Sequence, residues 1–320
     1  MDPPLSPLQA AGFLLAGAAV IGNDALQTLG TFLAANRGRV PRPLQAVYLC
    51  AVLCLVLLLG WRLGHGEPAW GRLEAFPLPE RFGWSDLLPP LAVLVLTRWG
   101  APVSTSFLVL TAFAPANLPA LLRQSLLGYG VALLAGALIY GAVAWLLERP
   151  GDDPSAEAPH PGWLPLQWLA GGWLWGQWLI QDLANVYVYL PRQLPAPQMA
   201  LSLTALCFGV CLLLAADGGP IQARLTSKSH VDDTRSATVI SALYGLILAG
   251  FAWSSQRPLS TTWMFLGLLA GRELALQARL RERSAMEVAG VLGADIARAG
   301  LGLAVSVAVA LMVPLLRPEG

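Results

Sequence analysis

Pro102-Val103-Ser104-Thr105-Ser106 returns 156 residues later as Pro258-Leu259-Ser260-Thr261-Thr262: proline, an apolar residue, then three hydroxyls. Each phrase stands at a break between two apolar runs, 84–99 and 102–115 around the first, 235–253 and 258–271 around the second. A helix needs about 20 apolar residues to cross the hydrocarbon core, and 84–99 and 102–115 are each too short to cross alone. A short run, a proline break and a second short run predict a re-entrant hairpin with its tip inside the membrane. Such irregular backbone is tolerated only where it lines a cavity or is buried in protein.

The composition agrees. Of 320 residues, 56% are hydrophobic and 12% charged, against about a quarter charged in a soluble domain. A water-facing surface would lack half its polar supply. The formal charge of +1 excludes a general nucleic-acid binder, which needs a basic face. His65, His160 and His230 fall far apart in polar connections, which argues against a zinc or histidine-triad enzyme. The N-terminus carries Asp2 and no basic n-region, so it reads as a first membrane helix rather than a cleaved signal peptide.

Working outward from the two phrases, the remaining spans are 7–35, 44–62, 118–147, 163–190, 196–216 and 288–316. Landmarks recur at one offset. Asp24 and Asp182 lie 158 residues apart, and Cys50/Cys54 and Cys207/Cys211 lie 157 apart. Agreement of unrelated landmarks predicts a duplication, with copies at 1–148 and 163–320 and a Pro/Asp-rich cytoplasmic linker at 149–162. The expected fold is an all-α integral membrane protein of two inverted-topology repeats. Each would hold a broken helix, a plain helix, a re-entrant helical hairpin and a long helix. Three crossings per copy invert the second. Placing both termini outside puts eleven basic residues, from Arg37 to Arg283, inside. Five (Arg62, Arg72, Arg81, Arg192 and Arg317) then lie outside, as the positive-inside rule asks of a cell membrane protein.

Inverted repeats with discontinuous helices carry their sites near the midplane, and four polar clusters fall there. One is Asn23-Asp24 with Gln27, Thr28 and Thr31; another is Gln181-Asp182 with Asn185. An aspartate at the bilayer centre costs about 2.5–3.5 kcal/mol. A cation or proton site at Asp24, Gln27, Gln181 and Asp182 would account for two of them, and a paired structural carboxylate is the competing reading. The other clusters are the hairpin tips, where Ser104, Thr105, Ser106, Ser260, Thr261 and Thr262 stand at helix N-termini suited to an anion. Arg98 and Arg257 flank them. Capping by serine or threonine uses the same groups, and spacing alone does not separate the two roles.

Here the residues carry a resemblance. Asn23-Asp24-Ala25-Leu26-Gln27-Thr28-Leu29-Gly30-Thr31 resembles the N-D-x-x-N-x-x-G-T signature of the inorganic phosphate transporter (PiT) family, and Gln181-Asp182-Leu183-Ala184-Asn185 its second copy. The two hydroxyl phrases resemble that family's P-V-S-T-T hairpin tips. The resemblance implies a dimeric secondary transporter of phosphate, or in some members sulfate, with Na⁺ or H⁺ as the coupling ion and no other cofactor. It implies that Asn23, Asp24, Asp182 and Asn185 form the cation and substrate centre, with Ser104, Thr105, Ser260, Thr261 and Thr262 holding the anion. The chain departs from the pattern at Gln27 and Gln181, where asparagines stand in the family, and at Phe107 and Trp263, where histidine follows the tip.

Two other function classes remain open. A cation transporter or channel would use the carboxylates as its substrate site and the hairpins as gates. An enzyme or sensor would need a nucleophile–base pair or an output domain; neither is visible, and 149–162 is too short for one. Among the weaker signals, the i,i+4 cysteine pairs could face one another around a soft metal or be small apolar residues. Interface anchoring is expected for most of Trp163, Trp168, Trp173, Trp175 and Trp178. Residues 272–283 predict an amphipathic cytoplasmic helix, and Asp232-Asp233 with Lys228 and His230 an ordinary helix start or an ion vestibule.

Overall fold

Ser6 opens the first helix by accepting from the Gln9 backbone N–H (3.2 Å) while Gln9 accepts from the N–H of Ser6 (2.9 Å), with Pro7 at the first helical position. This reciprocal cap satisfies two donors that a helix start otherwise leaves orphaned. In this computed structural model, which describes residues 5–79, 82–98, 103–147, 160–216, 234–255, 258–280 and 285–316, α1 (Pro7–Val20) runs into one π-helical turn, Ile21–Ala25. The chain continues as α2 (Leu26–Asn36). The wider turn holds Asn23 and Asp24, so the expected break at 7–35 is a change of winding rather than a gap. Turns of this kind concentrate at functional sites.

Next come α3 (Arg42–Leu63), a connection closed by a 3₁₀ turn at Trp84–Leu87, and α4 (Leu88–Arg98). After the first tip a second π-helical turn (Ser106–Leu110) leads into α5 (Thr111–Phe113), then α6 (Leu118–Leu147). The later half holds α7 (Trp163–Asp182), a break at Leu183, α8 (Ala184–Tyr187), α9 (Ala196–Ala215) and α10 (Thr234–Ser254). The second tip, α11 (Thr261–Leu280) and α12 (Ala285–Leu315) complete it. Among the described residues there is no strand. The described residues are all-α, and five segments among them are long and apolar enough to cross a membrane: Pro7–Ala25, Arg42–Leu63, Pro115–Ile139, Ala196–Ala215 and Thr234–Ser254. Leu44, Val47, Leu55, Leu58 and Leu59 on α3 are exposed, as are Leu126, Leu127, Leu134 and Leu138 on α6. Apolar side chains on the outside of apolar helices suit lipid rather than water.

Five packings position the centre: α6 on α11, α7 on α10, α1 on α4, and α3 on both α7 and α9. The first is the tightest. A Cβ added at Gly271 would stand 2.1 Å from the Leu133 carbonyl oxygen, one at Gly267 2.3 Å from that of Tyr129, and one at Gly136 2.7 Å from that of Leu268. Small residues four apart let two backbones touch; the Gly267/Gly271 spacing was legible in the sequence and was missed there.

Three expectations are corrected. The second break is not flanked by two short arms. α10 has 21 residues, long enough to cross, and α11 runs 20 residues through most of the stretch expected to be a separate amphipathic helix. Within it Arg272 is buried and pairs with Glu273 at 3.3 Å, because α11 keeps packing on α6 past the hairpin. Trp175 and Trp178 are not interface anchors. Both are buried, their rings stacked 4.9 Å apart and 8° from parallel, with Trp175 Nε1 donating to the Leu49 carbonyl. The cysteines face one another across α3 and α9, Cys54 Sγ lying 3.7 Å from Cys207 Sγ. Asp232-Asp233, Lys228, His230 and most of the 149–162 linker lie outside the described residues.

Candidate functional site

The π-helical turn aims Asn23 and Asp24 inward, the break at Leu183 frees Asp182 and Asn185, and the two tips reach the same place. Asp24 and Asp182 are each 1% exposed. Asn23 Nδ2 donates to Asp24 Oδ1 (2.6 Å) and to the Val103 carbonyl (2.8 Å), tying the first carboxylate to the first tip. Thr105 donates its hydroxyl to Asp24, and Thr261 donates its own to Asp182. Asn185 Nδ2 then bridges the halves, lying 3.3 Å from Asp182 Oδ1, 3.2 Å from Ser106 Oγ and 3.4 Å from Thr105 Oγ1. One continuous network therefore joins Asp24, Thr105, Asn185 and Asp182.

The tips also grip each other. Ser106 Oγ donates to the Leu259 carbonyl, and Thr262 Oγ1 stands 3.3 Å from both the Val103 carbonyl oxygen and Asp24 Oδ1, so its single proton serves one at a time. Phe107 and Trp263, the next residues, meet edge to face at 6.1 Å. The second tip is further held by Ser125 Oγ on α6, which accepts from the Ser260 N–H (2.9 Å), and by Tyr244 on α10, whose hydroxyl donates to the Thr261 carbonyl (3.0 Å).

These contacts divide the hydroxyls by role. Ser104 and Ser260 are caps: each Oγ accepts from the N–H three residues on, Phe107 at 3.4 Å and Trp263 at 3.3 Å. Thr105 and Thr261 serve the carboxylates, and Ser106 and Thr262 serve the opposite tip. Of the predicted site residues, Asn23, Asp24, Asp182, Asn185, Ser104, Thr105, Ser106, Ser260, Thr261 and Thr262 are buried and come together. One acceptor in this centre stands idle. Asn185 Oδ1 is buried with no donor among the described residues, and an oxygen that receives no proton, on an amide bonded to the Asp182 carboxylate, is suited to a cation.

Two predicted residues stand apart from this centre and three lie beyond view. Arg98, at the end of α4, is exposed, whereas the hydroxyls of the first tip are buried. Gln181 is buried beside Asp182 but turns away, its Nε2 donating to the Leu248 carbonyl (3.2 Å) and its Oε1 accepting from Arg72 (3.3 Å). Pro102, Arg257 and the side chain of Gln27 lie outside the described residues. Replacing Arg98 with glutamine is accordingly expected to leave solute uptake in proteoliposomes within about twofold of the parent, as usual for an exposed substitution.

Arg72 is the residue that sequence reasoning missed. It was expected in an exposed outer connection and is instead 2% exposed. Residues 64–79 fold back onto the helices: Leu194 N–H donates to the Gly66 carbonyl (2.9 Å), Asn117 to that of Ala75 (2.7 Å) and Arg192 to that of Phe76. Left-handed backbone at His65, Gly66, Trp70 and Gly71 lets the segment turn back on itself. Glu67 spans the fold by accepting from the N–H groups of Ala69 and Gly71. Burial pushes the Glu67 carboxyl above its ordinary value against those two bonds. Burial also pulls the Arg72 guanidinium down to about 10, opposed by the charges of Glu67 and Asp182; it stays protonated at neutral pH.

Compared with protein-family models, curated proteins and solved structures, the chain matches none. The functional reading therefore rests on the residues themselves.

Proposed function

We propose that the chain is a secondary active transporter of a small inorganic oxyanion, phosphate first and sulfate next, coupled to Na⁺ or H⁺. The observation that carries this reading is the single buried network in which two carboxylates, a bridging asparagine and two hydroxyl-bearing tips meet. A permanently uncompensated pair of buried carboxylates is costly. A bound cation, or a proton, removes that cost and makes the centre receptive to an anion. Donors for the anion are the first-turn N–H groups of the tips that Ser104, Ser260 and Ser125 do not already engage, and the Thr and Ser hydroxyls once the tips part.

An inverted-repeat architecture is part of the proposal. Its support is the equal offset of the landmarks and the repetition of roles: Ser104 and Ser260 cap, Thr105 and Thr261 donate to a carboxylate, Ser106 and Thr262 reach the other tip's carbonyl. The packings pair in the same way, α6 on α11 with α12 on α5, and α7 on α10 with α1 on α4. Alternating access would follow from one bundle rocking against the other around the shared centre. A cell-membrane location with both termini outside, and a homodimer, belong to the same reading, as does the likeness to the PiT signature.

The test is uptake by the purified protein in liposomes. Radiolabelled phosphate or sulfate should accumulate under an inward Na⁺ or proton gradient and not without one. The bonds from Thr105 and Thr261 to carboxylates would serve a cation permease equally well. Cation flux independent of any oxyanion, with no anion accumulation, would replace the proposal by that reading.

A further inference from the structure

Among the described residues Arg72 has no direct ion pair. Its Nε donates to Gln181 Oε1, the residue that precedes Asp182, while its Nη2 is buried and has no partner among the described residues. The charges that act on it are those of Glu67 and Asp182. Glu67 is committed to the N–H groups of its own turn, and Asp182 is the carboxylate of the buried centre. Leaving a guanidinium N–H dry and unpaired is expensive. Its fork is shaped for a planar pair of oxygens, which is why arginine recurs where phosphate or carboxylate is gripped.

We infer that Arg72 is the anion-recognising cation of this centre, and that it makes anion affinity depend on whether Asp182 holds its coupling cation. The inference deepens the transport reading and rests on it. With Asp182 bare, its charge offsets that of Arg72 and repels an oxyanion. With a cation or proton on Asp182, only Glu67 still opposes the charge of Arg72, and a phosphate or sulfate oxygen placed on Nη2 takes the place of the charge that Asp182 has lost. By linkage the anion must raise cation affinity by the same factor. Gln181 provides the mechanical tie: it holds Arg72 through Oε1 and the Leu248 carbonyl of α10 through Nε2, so one residue fixes the guanidinium against the break in α7 and the arm of the second hairpin. This assigns the glutamine that stands in place of asparagine at position 181 a purpose, since it reaches Arg72 instead of the carboxylates.

Equilibrium binding of radiolabelled phosphate and sulfate to the purified protein, with and without Na⁺ and at two pH values, tests it. In the parent, the cation should tighten anion binding by about fivefold or more, the lower edge of ordinary coupling. Arg72→Gln should bind the anion weakly, with less than about a twofold response to the cation; Arg72→Lys should recover part of the affinity. Glu67→Gln, outside the centre, removes one of the two opposing charges and should tighten anion binding in the absence of the cation. It keeps the question answerable if Arg72→Gln does not fold. Parent-like affinity and cation response in Arg72→Gln, or in Glu67→Gln if the first variant is lost, overturns the inference and leaves the transport reading standing. A parent protein that binds and transports neither anion overturns both.

Discussion

Asp24→Asn and Asp182→Asn are each expected to lower gradient-driven anion uptake by about 100-fold or more, equivalent to about 2.8 kcal/mol, while the protein purifies as a folded species. The substitutions are nearly isosteric, so packing around two side chains that are 1% exposed is preserved. What changes is charge and one hydrogen-bond direction. Asp24 accepts from Asn23 and Thr105; in Asp24→Asn one of those donors faces an N–H₂ instead of an oxygen, while the bond from Asn23 to the Val103 carbonyl still ties the first tip to the π-helical turn. Asp182→Asn imitates the cation-loaded state. Its expected signature is therefore specific: phosphate or sulfate binding that persists without Na⁺ or acid pH, with accumulation against a gradient lost. The measurement is proteoliposome uptake beside equilibrium binding on the same preparation. Normal coupled uptake in both variants would sink the assignment of the carboxylates as the coupling site.

Much of this centre was legible before any coordinates. Two hydroxyl phrases and two aspartates within an otherwise apolar chain can satisfy their polar groups only by finding one another, and they do. The sequence could not say which hydroxyl does what. Serine first in the phrase suits a cap and an anion equally, and only the bonds to the Phe107 and Trp263 N–H groups decide for Ser104 and Ser260. Neighbourhood along the chain misled twice. Arg98 is four residues from the first phrase yet exposed, and Gln181 adjoins Asp182 yet points elsewhere, because successive positions on a helix face different directions. Arg72 was hidden for the opposite reason: it is distant in sequence from every motif and is brought in by a connecting segment whose course depends on left-handed turns and on carbonyls accepting from Asn117, Arg192 and Leu194. A tertiary closure of that kind leaves no periodic trace.

Gly271→Ala is expected to disable the protein without touching the centre. Its new Cβ would lie 2.1 Å from the Leu133 carbonyl oxygen and 2.6 Å from the Ala137 nitrogen, where ordinary contact begins near 3.4 Å. Both atoms belong to the backbone of α6, so no side chain can swing aside, and the two helices must separate by about an ångström. Overpacking of this kind costs about 1–3 kcal/mol, a large share of a typical stability margin. The displacement also travels. α11 starts at Thr261, and the Ser260 N–H hangs from Ser125 of α6, so prising α6 from α11 pulls the second tip against its bonds to Asp182, Asp24 and the Val103 carbonyl. A lower melting temperature in detergent should accompany an uptake loss of about tenfold or more, since misplacing a binding group by an ångström can cost that much. Gly267→Ala, with its Cβ 2.3 Å from the Tyr129 carbonyl oxygen, should behave alike. Gly130→Ala on the same α6 meets nothing within 4 Å and should be neutral or slightly stabilising, as alanine is the better helix former by about 1 kcal/mol. If Gly271→Ala and Gly130→Ala melted together and transported alike, the tip would not be positioned through the α6–α11 contact, and its placement would have to come from Tyr244, the opposite tip and the two carboxylates.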